Sequence, residues 1–454
     1  MFCLVWCGTI ATINAQTNPV ITSWLQNTTQ TGFYYVSGNP VAIGNGIPVN
    51  CQLVRYASSW VYINATGIPA YPVGPFSGDG NPGQAGNQNA IWRLPLEPAE
   101  NKGTKTSLGL GAIGVFINGV SMFDYRDGVG WNTSTNSFCG GPGRSPCPGG
   151  PNAINPWTRD AIVFEKAGFD CAKGHPAGTN YHHHQNPSAF KLDLKVVSSI
   201  CNLYDADGLY AINSNKHSPL IGFALDGFPI YGAYAYANAD GSGGITRMKS
   251  GYRLRNITVR THHANGTDVA DGPPVSATYP LGTFAEDYEW LPNASDKSFL
   301  DVHNGRFCIT PEYPKGTYCY FATVDPNHNS AYPYIIGPAY YGVKTGGMVS
   351  SVTESTNTFK SQTTSLRAGD LKRLAIDIFP NPSQDLIAIQ TSGLVSEDLE
   401  IILLDANGRE IRRTSIRRGQ TIAYFDIQTL YDGLYFLSFG NNRVKETRKV
   451  MVSR

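Results

Sequence analysis

The chain has 454 residues, long enough for more than one core, and its 35 basic and 34 acidic residues nearly cancel. That balance excludes the electrostatic footprint of a nucleic-acid binder or a polybasic membrane-surface protein. With 49 Gly, 29 Pro and 25 Tyr against 15% charged residues, the composition points to a turn-rich, mainly β extracellular protein.

Residues 1–15 read as a signal peptide, apolar and then small up to Ile13-Asn14-Ala15, although no basic residue precedes the apolar run. No later stretch reaches the roughly 18 apolar residues of a membrane-spanning helix. Removal of the segment would take Cys3 and Cys7 with it. In an oxidising compartment the local cysteine pairs Cys139–Cys147, Cys171–Cys201 and Cys308–Cys319 are the natural bridges, which leaves Cys51 single.

From about residue 30 the strand signals are dense: 54–65, 112–125, 221–236, 252–263 and 318–325 alternate or run apolar between Gly, Asn-Gly and Asp-Gly turns. The best helix pattern is 159–170, with a capping Asp or Thr ahead of it and Gly168 behind. We read residues 30–345 as one large, loop-rich, disulfide-containing β domain. Residues 350–370, Ser/Thr-rich and nearly free of large apolar side chains, read as a linker. Residues 372–454 return to short alternating strands with Asn-Pro, Asn-Gly and Asp-Gly punctuation, the pattern of a small β-sandwich. This last part has no His and no Cys.

All nine histidines lie between His175 and His328, and three stand together in Asn180-Tyr181-His182-His183-His184. In an extended segment His182 and His184 share one face, about 6.5–7 Å apart along the strand, and His183 shares the other with Tyr181. Two imidazoles so placed can bend toward one ion, and imidazole ligation suits copper, zinc or iron. A third ligand must come from elsewhere. Candidates are His175, His217, His262, His263, His303, His328 and the carboxylates Asp226, Asp301 and Glu312; we take His217 first and His303 second. The predicted metal set is thus His182 and His184 with His217 or His303, copper favoured over zinc. The competing expectation is a non-catalytic interaction module whose His/Tyr cluster is a hydrogen-bonded core. Glycan binding by surface tyrosines is a third. No serine-hydrolase elbow, zincin, phosphate-loop or dinucleotide motif is present, and no catalytic residue is nominated.

Tyr181-His182-His183-His184, Gly174-His175-Pro176 ahead of it, and the later runs 217–232, 252–260, 280–290, 304–321 and 332–342 together resemble the YHYH family. The likeness spans residues 174–342, and His183 stands where the family name has tyrosine. The family's function is not established, so the resemblance implies an identity without a chemistry. The tail, with Phe379-Pro380-Asn381-Pro382, Asp405-Ala406-Asn407-Gly408, Gly433-Leu434-Tyr435 and Lys449-Val450-Met451-Val452, resembles the type A C-terminal sorting domain of the Bacteroidetes type IX secretion system. That likeness implies the type IX machinery as partner and a secreted or cell-surface destination.

Overall fold

The computed structural model describes residues 17–76, 84–141, 143–149, 155–187, 212–360, 376–391, 395, 398–417, 420–441 and 444–453. The expected signal peptide lies outside them. The architecture is mainly β, as the turn-punctuated alternation predicts.

The sheet that carries the site has eight strands. In chain order these are β1 (Ala112–Phe116), β2 (Ser121–Phe123), β3 (Gly174–Ala177), β4 (Asn180–His183), β5 (Leu220–Ala224), β6 (Pro229–Tyr231), β7 (Gly305–Cys308) and β8 (Thr317–Phe321). Their spatial order is β3-β4-β2-β1-β5-β6-β8-β7. β5, β6 and β8 are nearly continuous apolar runs and are buried throughout or nearly so, as strands covered on both faces must be.

A five-stranded sheet built on Cys51–Tyr56, Trp60–Ala65 and Ala90–Pro95 shares one core with it, Val54, Ile63 and Trp92 joining Val115, Phe116, Phe223 and Tyr320. Gly119 sits where the sheets approach: a Cβ there would lie 2.4 Å from the Ala65 Cβ, and its φ of +82° favours glycine. Of the expected linker 350–370, residues 361–370 lie outside the described residues. Asn357–Phe359 pairs antiparallel with Val54–Tyr56 as an edge strand, its polar sequence suiting an exposed edge.

The expected helix is short. Ala161–Glu165 is α-helical, with the Asp160 carboxylate accepting from the Val163 N–H, and a single 3₁₀ turn Lys166–Gly168 ends it. Beyond residue 376, a three-stranded and a four-stranded sheet enclose a separate core of Ile387, Ile389, Leu399, Ile401, Leu403, Leu437 and Phe439. Leu399–Leu404 alternates buried and half-buried, a strand with one face on that core.

Cys139 and Cys147 form a disulfide, Cys171 is disulfide-bonded with its expected partner Cys201 outside the described residues, and Cys51 is a free thiol. Cys308 and Cys319, expected as a bridge, are both free thiols. Cross-strand register explains the difference: Cys308 faces Thr317 and Cys319 faces Arg306, so the two cysteines are diagonal rather than opposed.

Candidate metal centre

β3 and β4 are joined by the two-residue turn Gly178-Thr179, with Ala177 paired to Asn180, so His175 falls directly opposite His182. Residues opposed across an antiparallel pair project to the same face. His184, two residues beyond His182, follows on that face. β4 runs parallel to β2, which brings Phe123 and Asp124 alongside the cluster.

One ligating atom from each of His175, His182 and His184 lies within 4.8 Å of the others, and all three rings are buried. His182 Nε2 and His184 Nε2 are 3.1 Å apart. Glu165, at the end of the short helix, places Oε2 3.2 Å from His184 Nε2 and 3.4 Å from His175 Nε2, at angles that leave this oxygen without a hydrogen bond. These separations are close to the roughly 3.3 Å between donors in a tetrahedral shell of 2.0–2.1 Å bonds.

The far side of two of the rings fixes where a hydrogen sits. His182 Nδ1 donates to the Asn180 carbonyl at 2.9 Å, and His184 Nδ1 donates to the Asp124 carbonyl. A carbonyl only accepts, so each of these two rings carries a hydrogen on Nδ1 and turns its Nε2 inward. Burial, and then the neighbouring His184 and His175, push the His182 pKa well below its ordinary value, so that ring is neutral. The His182 Nε2 therefore presents a lone pair to the interior, where a cation can take it. Burial works to raise the Glu165 pKa, but His175 and His184 outweigh it and hold the carboxyl below its ordinary value. Phe123 stacks on His182 with centroids 3.9 Å apart, and Phe169 meets His175 edge-on at 4.9 Å. The group can hold a metal ion, with aromatic walls that shield it from water.

The opposite face of β4 has another task. Tyr181 donates to Asp170 Oδ2 at 2.7 Å, and His183 Nε2 meets the Tyr71 hydroxyl at 2.8 Å, with Phe116 edge-on to the ring. Gly174 lies under this pair, where a Cβ would come within 2.4 Å of the Tyr181 hydroxyl oxygen.

His182 and His184 share a face, but neither expected third ligand is with them. His217 Nδ1 donates to the Ser218 carbonyl at 2.7 Å between the rings of Tyr231 and Tyr236, and His303 Nδ1 donates to the Ala339 carbonyl at 2.7 Å. Of the carboxylates weighed earlier, Asp226 accepts from Tyr320, Asp301 from Tyr318 and Glu312 from Tyr231. His175 takes the third place because it lies as far before the hairpin turn as His182 lies after it, a symmetry readable in the sequence once Gly178-Thr179 is taken as the turn. Glu165 carries no such signal, since its place depends on where the helix packs.

The fold and site define a disulfide-containing β protein with a buried imidazole cluster at a sheet edge. The chain belongs to the YHYH protein family, whose model matches residues 91–332, more than half of its length. Residues 377–453 match the secretion system C-terminal sorting domain, which indicates handling by the type IX system and a secreted, cell-surface or extracellular location. Among the described residues no helix is long and apolar enough to cross a membrane. No match was found among curated proteins.

Proposed function

We propose that this secreted protein binds a transition-metal ion through His175, His182 and His184, with Glu165 as the fourth donor, and that the ion is copper in preference to zinc. The observation that carries the reading is the pair of inward Nε2 atoms 3.1 Å apart, each ring held by a carbonyl on its far side. Buried imidazole nitrogens that converge with a carboxylate oxygen form the donor set a cation needs, and metal binding displaces any proton they share. Three imidazoles and a carboxylate suit copper and zinc alike, and copper binds such a set more tightly at equal availability.

Elemental analysis of the tag-free mature protein beside the His182→Ala/His184→Ala double variant tests the reading. Stoichiometric metal in the first and none in the second is the expected result. Negligible metal in both, together with lost stability in the variant, would instead favour a packed core whose imidazoles serve the fold alone.

A further inference from the structure

Five tyrosines outside the histidine cluster form a contiguous ladder. Tyr332 is its hub: Tyr125 lies 5.1 Å away edge-on, Tyr252 5.4 Å, Tyr334 5.7 Å, and Tyr288 is stacked on it at 4.0 Å with planes 4° apart. Tyr125, Tyr332 and Tyr334 are buried, whereas Tyr252 and Tyr288 are partly buried, so the ladder runs from the interior toward solvent. Its inner end meets the histidine cluster through the backbone, because the carbonyl that accepts from His184 Nδ1 belongs to Asp124, the residue joined to Tyr125. Tyr334 also has what a phenol needs to lose an electron at low cost: its hydroxyl donates to Asp160 Oδ2 at 2.6 Å, a carboxylate placed to take the proton.

We propose that the Tyr125–Tyr332–Tyr288 ladder, with Tyr334 and Asp160 at its side, carries single electrons between the buried histidine site and the protein surface. The proposal rests on the metal reading above for its inner terminus. A one-electron oxidant at the Tyr288 edge removes an electron from Tyr334 by way of Tyr332, and the phenolic proton crosses to Asp160. An electron from a cuprous ion held by the imidazoles then restores the phenol by way of Tyr125, and the proton returns. The net change is one electron from the ion to the oxidant. Tunnelling weakens steeply with distance, so rings in van der Waals contact give a route that the aromatic walls around a buried ion otherwise deny.

The test uses the full-length chain and photogenerated ruthenium tris-bipyridyl as oxidant, with persulfate as electron sink. In metal-free protein, freeze-quench electron paramagnetic resonance is expected to show a tyrosyl radical that is largely lost in Tyr334→Phe. It should also be lost in Asp160→Asn, which keeps a competent helix cap. In protein loaded with cuprous ion, appearance of the cupric signal is expected to slow several-fold in Tyr332→Phe and in Tyr288→Phe, while Tyr431→Phe, an exposed control in the sorting domain, leaves it unchanged. Wild-type rates in both ladder variants, or a radical indifferent to Tyr334→Phe, would overturn the proposal. Wild-type protein that takes up no copper overturns the metal reading instead, and the metal-free arm still judges the ladder alone.

Discussion

His175 and His182 face each other across the β3–β4 hairpin, paired in register on either side of the Gly178-Thr179 turn. Their rings are 4.6 Å apart. The proposed ion site therefore depends on His175 as much as on His182. Loss of a second-shell partner typically costs 10–100-fold in metal affinity, so His175→Ala, which removes a ligand, is expected to cost more than about 100-fold. His217→Ala and His303→Ala are expected to leave affinity unchanged, since those rings hydrogen-bond backbone carbonyls elsewhere. Competitive titration against a chelator of known affinity distinguishes the three variants.

Glu165→Gln separates the ion's needs from the fold's. The carboxylate lies beside two imidazoles and accepts no hydrogen bond through Oε2. His175 and His184 hold the carboxyl below its ordinary pKa, so the ionised group stabilises the metal-free fold and the metal-free variant is expected to melt below the wild-type temperature. The same change removes the only anion among the four donors, so the rise in melting temperature on adding metal should shrink. An unchanged metal-induced shift would contradict the ligand assignment.

The legible parts of this molecule are those set by local periodicity. Alternation in Asn180–His184 assigns His182 and His184 to one face and His183 to the other, and the Asp226-Gly227 turn falls between β5 and β6 as its dipeptide requires. What the text hides depends on pairing at a distance. Asn357–Phe359 reads as linker because an exposed edge strand needs no apolar face, and its partner lies some 300 residues earlier. Glu165 stands in an unremarkable amphipathic stretch, and only the packing of a five-residue helix against β3 and β4 brings it to the imidazoles. The Cys308–Cys319 spacing suggests a bridge, whereas the register makes the two residues diagonal.

That register has a chemical consequence. Hydrogen bonding with Cys319 lowers the Cys308 pKa to about 7 against the opposing effect of burial, with Arg306 contributing in the same direction as Cys319. The diagonal register, and not the lowered pKa, keeps the pair unbridged, so both are expected to survive as thiols. Denaturing the unreduced protein in the presence of iodoacetamide, followed by peptide mass spectrometry, should find Cys51, Cys308 and Cys319 alkylated and Cys139 linked to Cys147. A Cys308–Cys319 cross-linked peptide is the contrary result.

His183 gives the metal-free protein an acid-sensitive stability of definite sign. Burial, above all, lowers its pKa to about 3 in the fold, whereas an unfolded histidine titrates near 6.5. Between those values the unfolded chain binds a proton that the native chain does not. Stability is therefore full above about pH 6.5 and falls as the pH drops toward 3, by up to about 1.4 kcal/mol per pH unit for this one group. His183→Tyr places at this position the residue in the family's name, keeps a hydroxyl within reach of Tyr71 and removes the titration. Urea denaturation of metal-free wild type and variant at about pH 7 and about pH 5 is expected to show a smaller loss on acidification in the variant, by an amount on the order of 1–2 kcal/mol. Because His182 titrates on the other face and is retained in both proteins, its contribution cancels in the comparison. Equal losses would mean that His183 is already protonated in the fold, in which case Tyr71 accepts from an imidazolium rather than sharing a hydrogen with a neutral ring.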